Sequence, residues 1–245
     1  MSLMQMEWQS RKGNARLHNS DAVALCAWDN KAVIALVDAA ESNTSVELAS
    51  RWARACVWAA VRAHDRLSTS DSIIYALKHA HTKLRSRHLH ERASYLIASL
   101  DLDRHEGTLI FAGDCLLGIS GAGTPVWLNT PHTVEAHYHH SSTECPTEIQ
   151  GAEHILTRAF KGRRFTTPVR RSFVWSKGVS LLFSTDGHWR EHLRDGVSLT
   201  DLQDDASVLC LAAGTTPLNV FQHTDASNLI IVDRDDLPDI DQEAL

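Results

Sequence analysis

The stretch Asp21-Ala22-Val23-Ala24-Leu25-Cys26-Ala27-Trp28-Asp29-Asn30-Lys31-Ala32-Val33-Ile34-Ala35-Leu36-Val37-Asp38 sets the architecture of the chain. Residues 22–28 and 32–37 read as strands, and Asp29-Asn30 reads as the tight turn of a hairpin between them. The second run is apolar throughout, as a strand covered on both faces should be. It ends on a carboxylate, Asp38. Burying an ionised carboxylate at a strand end is costly unless it is paired or bound to metal. The position is therefore a candidate for chemistry as well as for structure.

Working outward, residues 4–9 add a strand ahead of the hairpin, and two helices follow it. Over 45–64, Ala49, Trp52, Ala53, Cys56, Val57, Ala60 and Val61 recur at three- and four-residue intervals, on one helical face. Ser70 or Asp71 caps a second helix with the stripe Ile73, Ile74, Leu77, Ala80, His81 and Leu84. Strands resume at 94–102, 108–112, 116–120 and 125–128. The polar segment 137–151 reads as a loop, with a short helix after it over 152–160. Strands at 172–176 and 179–184, a helical stretch at 188–193, and strands at 207–211 and 228–232 complete the pattern. This order is not the alternation of a parallel α/β fold. It predicts α+β, a sandwich of antiparallel sheets with helices outside.

The 245 residues fit one domain, placed over 4–235. With 43% hydrophobic and 22% charged residues, the chain can bury a core without disulfides. Cys26, Cys56, Cys115, Cys145 and Cys210 are widely spaced, lack a C-x-x-C pair and read as reduced thiols. The net charge of −6 speaks against a nucleic-acid partner. The short basic run Lys161-Gly162-Arg163-Arg164, with Arg170 and Arg171, reads as a solvated loop or an anionic-substrate contact. No apolar run of about eighteen residues and no signal peptide stand out, which predicts a cytoplasmic protein without a membrane partner. Met1-Ser2-Leu3 ahead of Met4 reads as an expression scar, and 236–245 as an acidic C-terminal tail. The fifteen histidines fall into no zinc-ligand spacing and read as structural or solvated.

The strand-then-aspartate pattern recurs. Asp186 ends the run Leu181-Leu182-Phe183-Ser184-Thr185, Asp114 follows Gly113 in a strand-to-strand turn, and Asp204-Asp205 precede the strand 206–211. Each aspartate taken singly is an ordinary strand end or turn residue. Several converging on one place would repel each other unless a cation lay between them. Hard divalent ions such as Mg²⁺ and Mn²⁺ favour such oxygen ligands.

Six stretches in order resemble the metal-dependent Ser/Thr protein phosphatase 2C (PPM) family in its compact bacterial form. Gly13-Asn14-Ala15-Arg16-Leu17-His18-Asn19-Ser20-Asp21 is similar to the opening G-x-x-R-x-x-N-E-D, and Val37-Asp38-Ala39 to the strand running into Asp-Gly. Leu109-Ile110-Phe111-Ala112-Gly113-Asp114 is similar to the strand ending in V-G-D, and Leu156-Thr157-Arg158-Ala159 matches L-T-R-A. The run 181–187 resembles the strand entering T-D-G, and Asp204-Asp205-Ala206-Ser207 resembles the closing D-N-x-T. The resemblance implies a four-layer α-β-β-α sandwich, two five-stranded antiparallel sheets flanked by helices. It also implies two Mn²⁺ or Mg²⁺ ions, with a weaker third, that hydrolyse phosphoserine and phosphothreonine through a metal-bridging water. Asp38 would bridge the ions, the Ala39 carbonyl, Asp186 and Asp204 would complete the ligands, and Asp114 would serve the third position. Asp21 would orient a metal-bound water, and Arg16 would bind phosphate.

The chain also departs from the pattern. Ala39-Ala40-Glu41-Ser42 stands where the family has glycines, and alanine would be strained if the backbone needed positive φ. Ser20 replaces the usual Glu or Gln, and Arg190 stands where many members carry another aspartate. Asp205, and Asp225 ahead of the strand 228–232, compete with Asp204 as the last ligand. The expected function is a Mn²⁺/Mg²⁺-dependent phosphatase of phosphoproteins, opposing a Ser/Thr kinase. The alternative is a weak or inactive phosphatase-like module that binds phosphoprotein. A third reading is an unrelated hydrolase of small phosphate esters.

Overall fold

The computed structural model describes residues 4–65, 70–121, 123–141, 149–213, 219–224 and 226–235. In chain order the first half contains β1 (Met4–Arg11), β2 (Asp21–Trp28), β3 (Lys31–Ala39), α1 (Ser45–Asp65), α2 (Ser70–Leu84), β4 (Arg92–Asp101) and β5 (Glu106–Ala112). There follow β6 (Leu116–Ser120), β7 (Val126–Trp127), α3 (Val134–His140), β8 (Phe160–Lys161), β9 (Val169–Val174) and β10 (Ser180–Ser184). A π-helix (Gly187–Arg194), β11 (Ala206–Ala213), β12 (Asn219–His223) and β13 (Leu229–Ile231) complete the order.

The hairpin read from the sequence forms. β2 and β3 pair antiparallel through eight residues each, and Asp29 takes a left-handed φ of 48° at the turn, a conformation that Asp tolerates better than most residues. From this hairpin grows a sheet in the order β13-β2-β3-β4-β5-β9, with β8 against the start of β4. The second sheet runs β12-β1-β11-β10-β6-β7. The architecture is the expected α+β sandwich. The sheets are mostly antiparallel, but each has one parallel edge, β12 on β1 and β13 on β2. They also hold six and seven strands rather than five each.

Two separate cores explain the unbroken apolar strands. Residues alternate faces along a strand. Val23, Leu25, Ile34, Leu36 and Leu96 therefore meet Met6, Trp8, Phe183, Leu209 and Leu211 between the sheets. Ala22, Ala24, Val33, Ala35 and Val37 point the other way and receive α1 through Ala49, Trp52, Ala53, Cys56 and Ala60. Small residues on both sides let helix and sheet approach closely. His81 sits in the second core with Nε2 2.9 Å from the Lys161 carbonyl and its ring against Phe160 and Phe165, a satisfied core histidine.

Several local readings change. A helix spans 134–140 and takes in 137–140, which were expected to open a loop; Thr133 caps it by accepting from the Ala136 amide at 3.2 Å. The helix expected over 152–160 does not form. Its backbone bonds cross to the segment before α3 instead: Val134 donates to Ile155, Thr157 donates to His132, and Leu156 bridges Thr133. β9 starts three residues before the expected strand, and β12 was not expected at all. Cys26, Cys56 and Cys115 are buried, and Cys210 is half-buried. Cys145 and the tail 236–245 lie outside the described residues. No helix among the described residues is long and apolar enough to cross a membrane.

Trp52 is fully buried against Tyr95 and Phe160, and its indole N–H has no hydrogen-bond partner among the described residues. Trp52→Ala is expected to cost roughly 3–5 kcal/mol in chemical denaturation. Trp52→Phe should cost about 1–2 kcal/mol, because no polar contact is lost.

Candidate metal centre

The candidate site follows from strand parity. On β2 the residues facing the inter-sheet core are odd-numbered, on β3 and β4 even-numbered. Asp21, Asp38 and Ser94 continue those rows and lie opposite one another, Asp21 across from Asp38 and Asp38 across from Ser94. Directly opposed residues share a face. The three therefore cap one end of the inter-sheet core. Asp114 arrives there just after β5, Asp186 just after β10, and Asp204-Asp205 just before β11.

Asp38, Asp114 and Asp186 each bring a carboxylate oxygen to within 4.8 Å of the others, and this is the one such group among the described residues. Asp38 keeps some exposure, while Asp114 and Asp186 are buried. The solvent-facing side of the cluster is thus at Asp38. Asp21 is buried beside them. Its Oδ2 accepts from the Thr185 hydroxyl at 3.1 Å, and its Oδ1 has no partner among the described residues. An orphaned buried carboxylate oxygen next to three crowded carboxylates is a donor set that fits hard divalent ions.

The electrostatics show the same crowding. Burial, then the charges of Asp114 and Asp204, push Asp186 up to about 7. Burial and the neighbouring Asp186 carry Asp38 well above the ordinary carboxylate range; burial and Asp205 do so for Asp21.

Backbone geometry delivers Asp114. Gly113 has φ 113°, and a Cβ there would lie 2.2 Å from the Ser94 hydroxyl. Glycine lets that hydroxyl reach Asp114, donating to Oδ1 at 2.6 Å and accepting the Asp114 amide at 3.2 Å. Gly13 plays a similar part at the other sheet. A Cβ there would strike the Gln203 carbonyl at 2.3 Å, and the Gly13 amide donates to Asp205 Oδ1 at 2.9 Å. Asp205 Oδ2 accepts from the Ser20 amide at 2.7 Å, so Asp205 clasps the segment ahead of β2. Asp204 is held bidentate by Arg16, at 2.7 and 2.6 Å. The pair stands at the side of the cluster, its charge felt at Asp38 and Asp186. Glu41 lies 3.7 Å from the same guanidinium. Asp225 lies outside the described residues.

At Ala39 the expected strain is absent. β3 runs extended through Ala39, paired with Ala93, and among the described residues only Asp29 and His105 combine a side chain with positive φ. Sequence reasoning had not anticipated the contacts of Arg190. This arginine is 2% exposed and pairs with Asp114 at 2.9 Å and Asp186 at 3.0 Å. The signal was the four-residue spacing from Asp186, which on a helix brings opposite charges together.

No family model matches the sequence, and no curated protein does. Solved structures do match. MsPP, a PPM Ser/Thr phosphatase from Mycobacterium smegmatis solved with cacodylate, superposes with a TM-score of 0.67 at 16% identity, over 87% of this chain and 100% of its own. The chain has the fold of the PPM phosphatases. The catalytic domain of the Ser/Thr phosphatase PstP, solved with two manganese ions, gives 0.63 at 15% identity over 87% and 100%. RsbX, solved with magnesium, gives 0.56 at 13% identity over 86% and 95%. Two of the structures that this chain resembles thus hold Mn²⁺ or Mg²⁺, and this chain presents a candidate aspartate site.

The raised carboxylates give a signed pH dependence. A folded-state value near 7 for Asp186, against the usual 3.8, means the folded chain binds the extra proton more tightly than the unfolded one. The metal-free protein should therefore lose stability as pH rises from about 4 through about 7. Thermal melts in chelator are expected to fall across that window, and millimolar Mn²⁺ should remove most of the fall. A Tm in chelator that stays level or climbs would contradict this account.

Proposed function

We propose that this chain is a Mn²⁺/Mg²⁺-dependent phosphatase of phosphoserine and phosphothreonine in proteins. The supporting observation is the buried cluster Asp38–Asp114–Asp186, within 4.8 Å, at the end of a fold shared with solved PPM phosphatases. Asp38, Asp186 and Asp204 are assigned as carboxylate ligands, with the carbonyl of Ala39 beside them. Bound there, divalent ions would supply an acidified water and positive charge against the phosphoryl oxygens.

The chain's own residues do the rest. Asp38, at the exposed side of the cluster, faces the incoming phosphate ester. Asp21, with one buried oxygen that has no partner among the described residues, accepts a hydrogen bond from a water and orients it. Arg16 is about a third exposed beside Asp204, and its planar fork matches two phosphate oxygens. Leaving Asp204 to metal would free that fork for substrate. The partner is then a phosphoprotein modified by a Ser/Thr kinase.

A second reading rests on one observation. The bidentate grip of Arg16 on Asp204 withholds a carboxylate from metal, as in a phosphatase-like module that binds phosphoprotein without turnover. Mn²⁺ calorimetry separates the two, since a folded chain that binds no metal is not the enzyme.

With Mn²⁺, hydrolysis of a phosphothreonine peptide is expected. Asp38→Asn and Asp186→Asn should each lower kcat by roughly 100-fold or more. Arg16→Ala should raise KM about tenfold, the loss of one charge-assisted contact. Undiminished turnover in both aspartate variants would rule the mechanism out.

A further inference from the structure

Asp114 is satisfied by the protein itself. Its Oδ1 accepts the Ser94 hydroxyl at 2.6 Å and its Oδ2 accepts Arg190 Nη2 at 2.9 Å. Arg190 Nη1 lies 3.0 Å from Asp186 Oδ2 and 2.7 Å from His154 Nδ1. The guanidinium therefore bridges Oδ2 of Asp114 and Oδ2 of Asp186. It is 2% exposed and lies over the neighbouring Trp189 ring at 5.1 Å. That indole in turn donates to the Asp114 carbonyl at 2.8 Å. A side chain this enclosed does not swing aside cheaply, because a buried guanidinium parted from its carboxylates would be left uncompensated.

Charge balance agrees with this geometry. Asp21, Asp38, Asp114, Asp186, Asp204 and Asp205 share this end of the sandwich with Arg16 and Arg190. Arg16 is shared between Asp204 and Glu41, Arg190 offsets the charges of Asp114 and Asp186, and the cluster stays net negative, open to divalent ions. Glu41 and Glu191 lie at the rim and accept from the backbone amides of Leu17 and Gln203.

We propose that Arg190 is a built-in cation that takes the place of a metal ion between Asp114 and Asp186, so that this chain binds two divalent ions and has no third site. The third, weaker position implied by the resemblance does not fit these residues. Its carboxylate oxygens are already occupied by a fixed positive charge, and a second cation there would meet like-charge repulsion. This inference rests on the phosphatase reading for the two remaining ions, yet it can fail separately.

The test is a count of ions. Chelator-stripped protein is dialysed against excess Mn²⁺, bound metal is measured by atomic emission, and the binding steps are followed by calorimetry. Two ions per chain are expected for the native sequence and for Arg190→Lys, which keeps the charge. Three are expected for Arg190→Asp, which exchanges the cation for a ligand. Should that variant fail to fold, Asp114→Asn decides: it is expected to lose no ion, because Asp114 belongs to the arginine. A third ion in the native protein, or an ion lost in Asp114→Asn, would overturn the proposal. Two ions without phosphopeptide turnover would defeat the phosphatase reading alone, and three with full turnover would defeat this one alone. No uptake at all would defeat both.

Discussion

Carboxylates crowded at the end of an apolar sandwich are the constraint on which the rest of the structure turns. An ionised group moved from water into such a place loses several kcal/mol of hydration, and here several do so together. The surrounding contacts compensate for that loss. Ser94 and Thr185 donate to Asp114 and Asp21, two backbone amides hold Asp205, and one arginine stands beside each half of the cluster. Asp38 and the free oxygen of Asp21 remain without full compensation, and they mark where external cations would be worth most.

The sandwich produces this arrangement with little dedicated machinery. One face of each sheet is apolar through most of its length, and the same face turns acidic at one end. Parity then aims Asp21, Asp38 and Ser94 inward without any special backbone. Exceptional conformation is needed only beside Asp114, where Gly113 takes φ 113°. Helices α1 and α2 do something different: they cover the far face of one sheet and leave the site to strand ends.

Much of this was legible in the sequence because its signals are local. Uninterrupted apolar runs mark doubly covered strands, three-and-four spacing marks α1 and α2, and aspartates at strand ends mark the site. What stayed hidden depends on long-range partners. The helix expected over 152–160 lost to cross-bonds with 132–134, which no local propensity records. The edge strand β12 has too little apolar character to announce itself. Sequence order placed Arg190 four residues after Asp186, but only the fold shows that Asp114, brought from another strand, shares its guanidinium. Asp204 was singled out from its motif, whereas its grip on Arg16 depends on a contact between opposite ends of the chain.

That last contact belongs to a larger feature. β1 lies antiparallel against β11 along its whole length, Met4 opposite Ala213 and Arg11 opposite Ala206. The strand over 4–11 must therefore wait, during synthesis, until residues 206–213 have emerged before it finds its neighbour. Domains with such distant pairings assemble slowly and late. Asp204 and Asp205 take their places in that same closing step, so a shorter ribosome-bound fragment would lack the carboxylates that hold Arg16 and the segment ahead of β2.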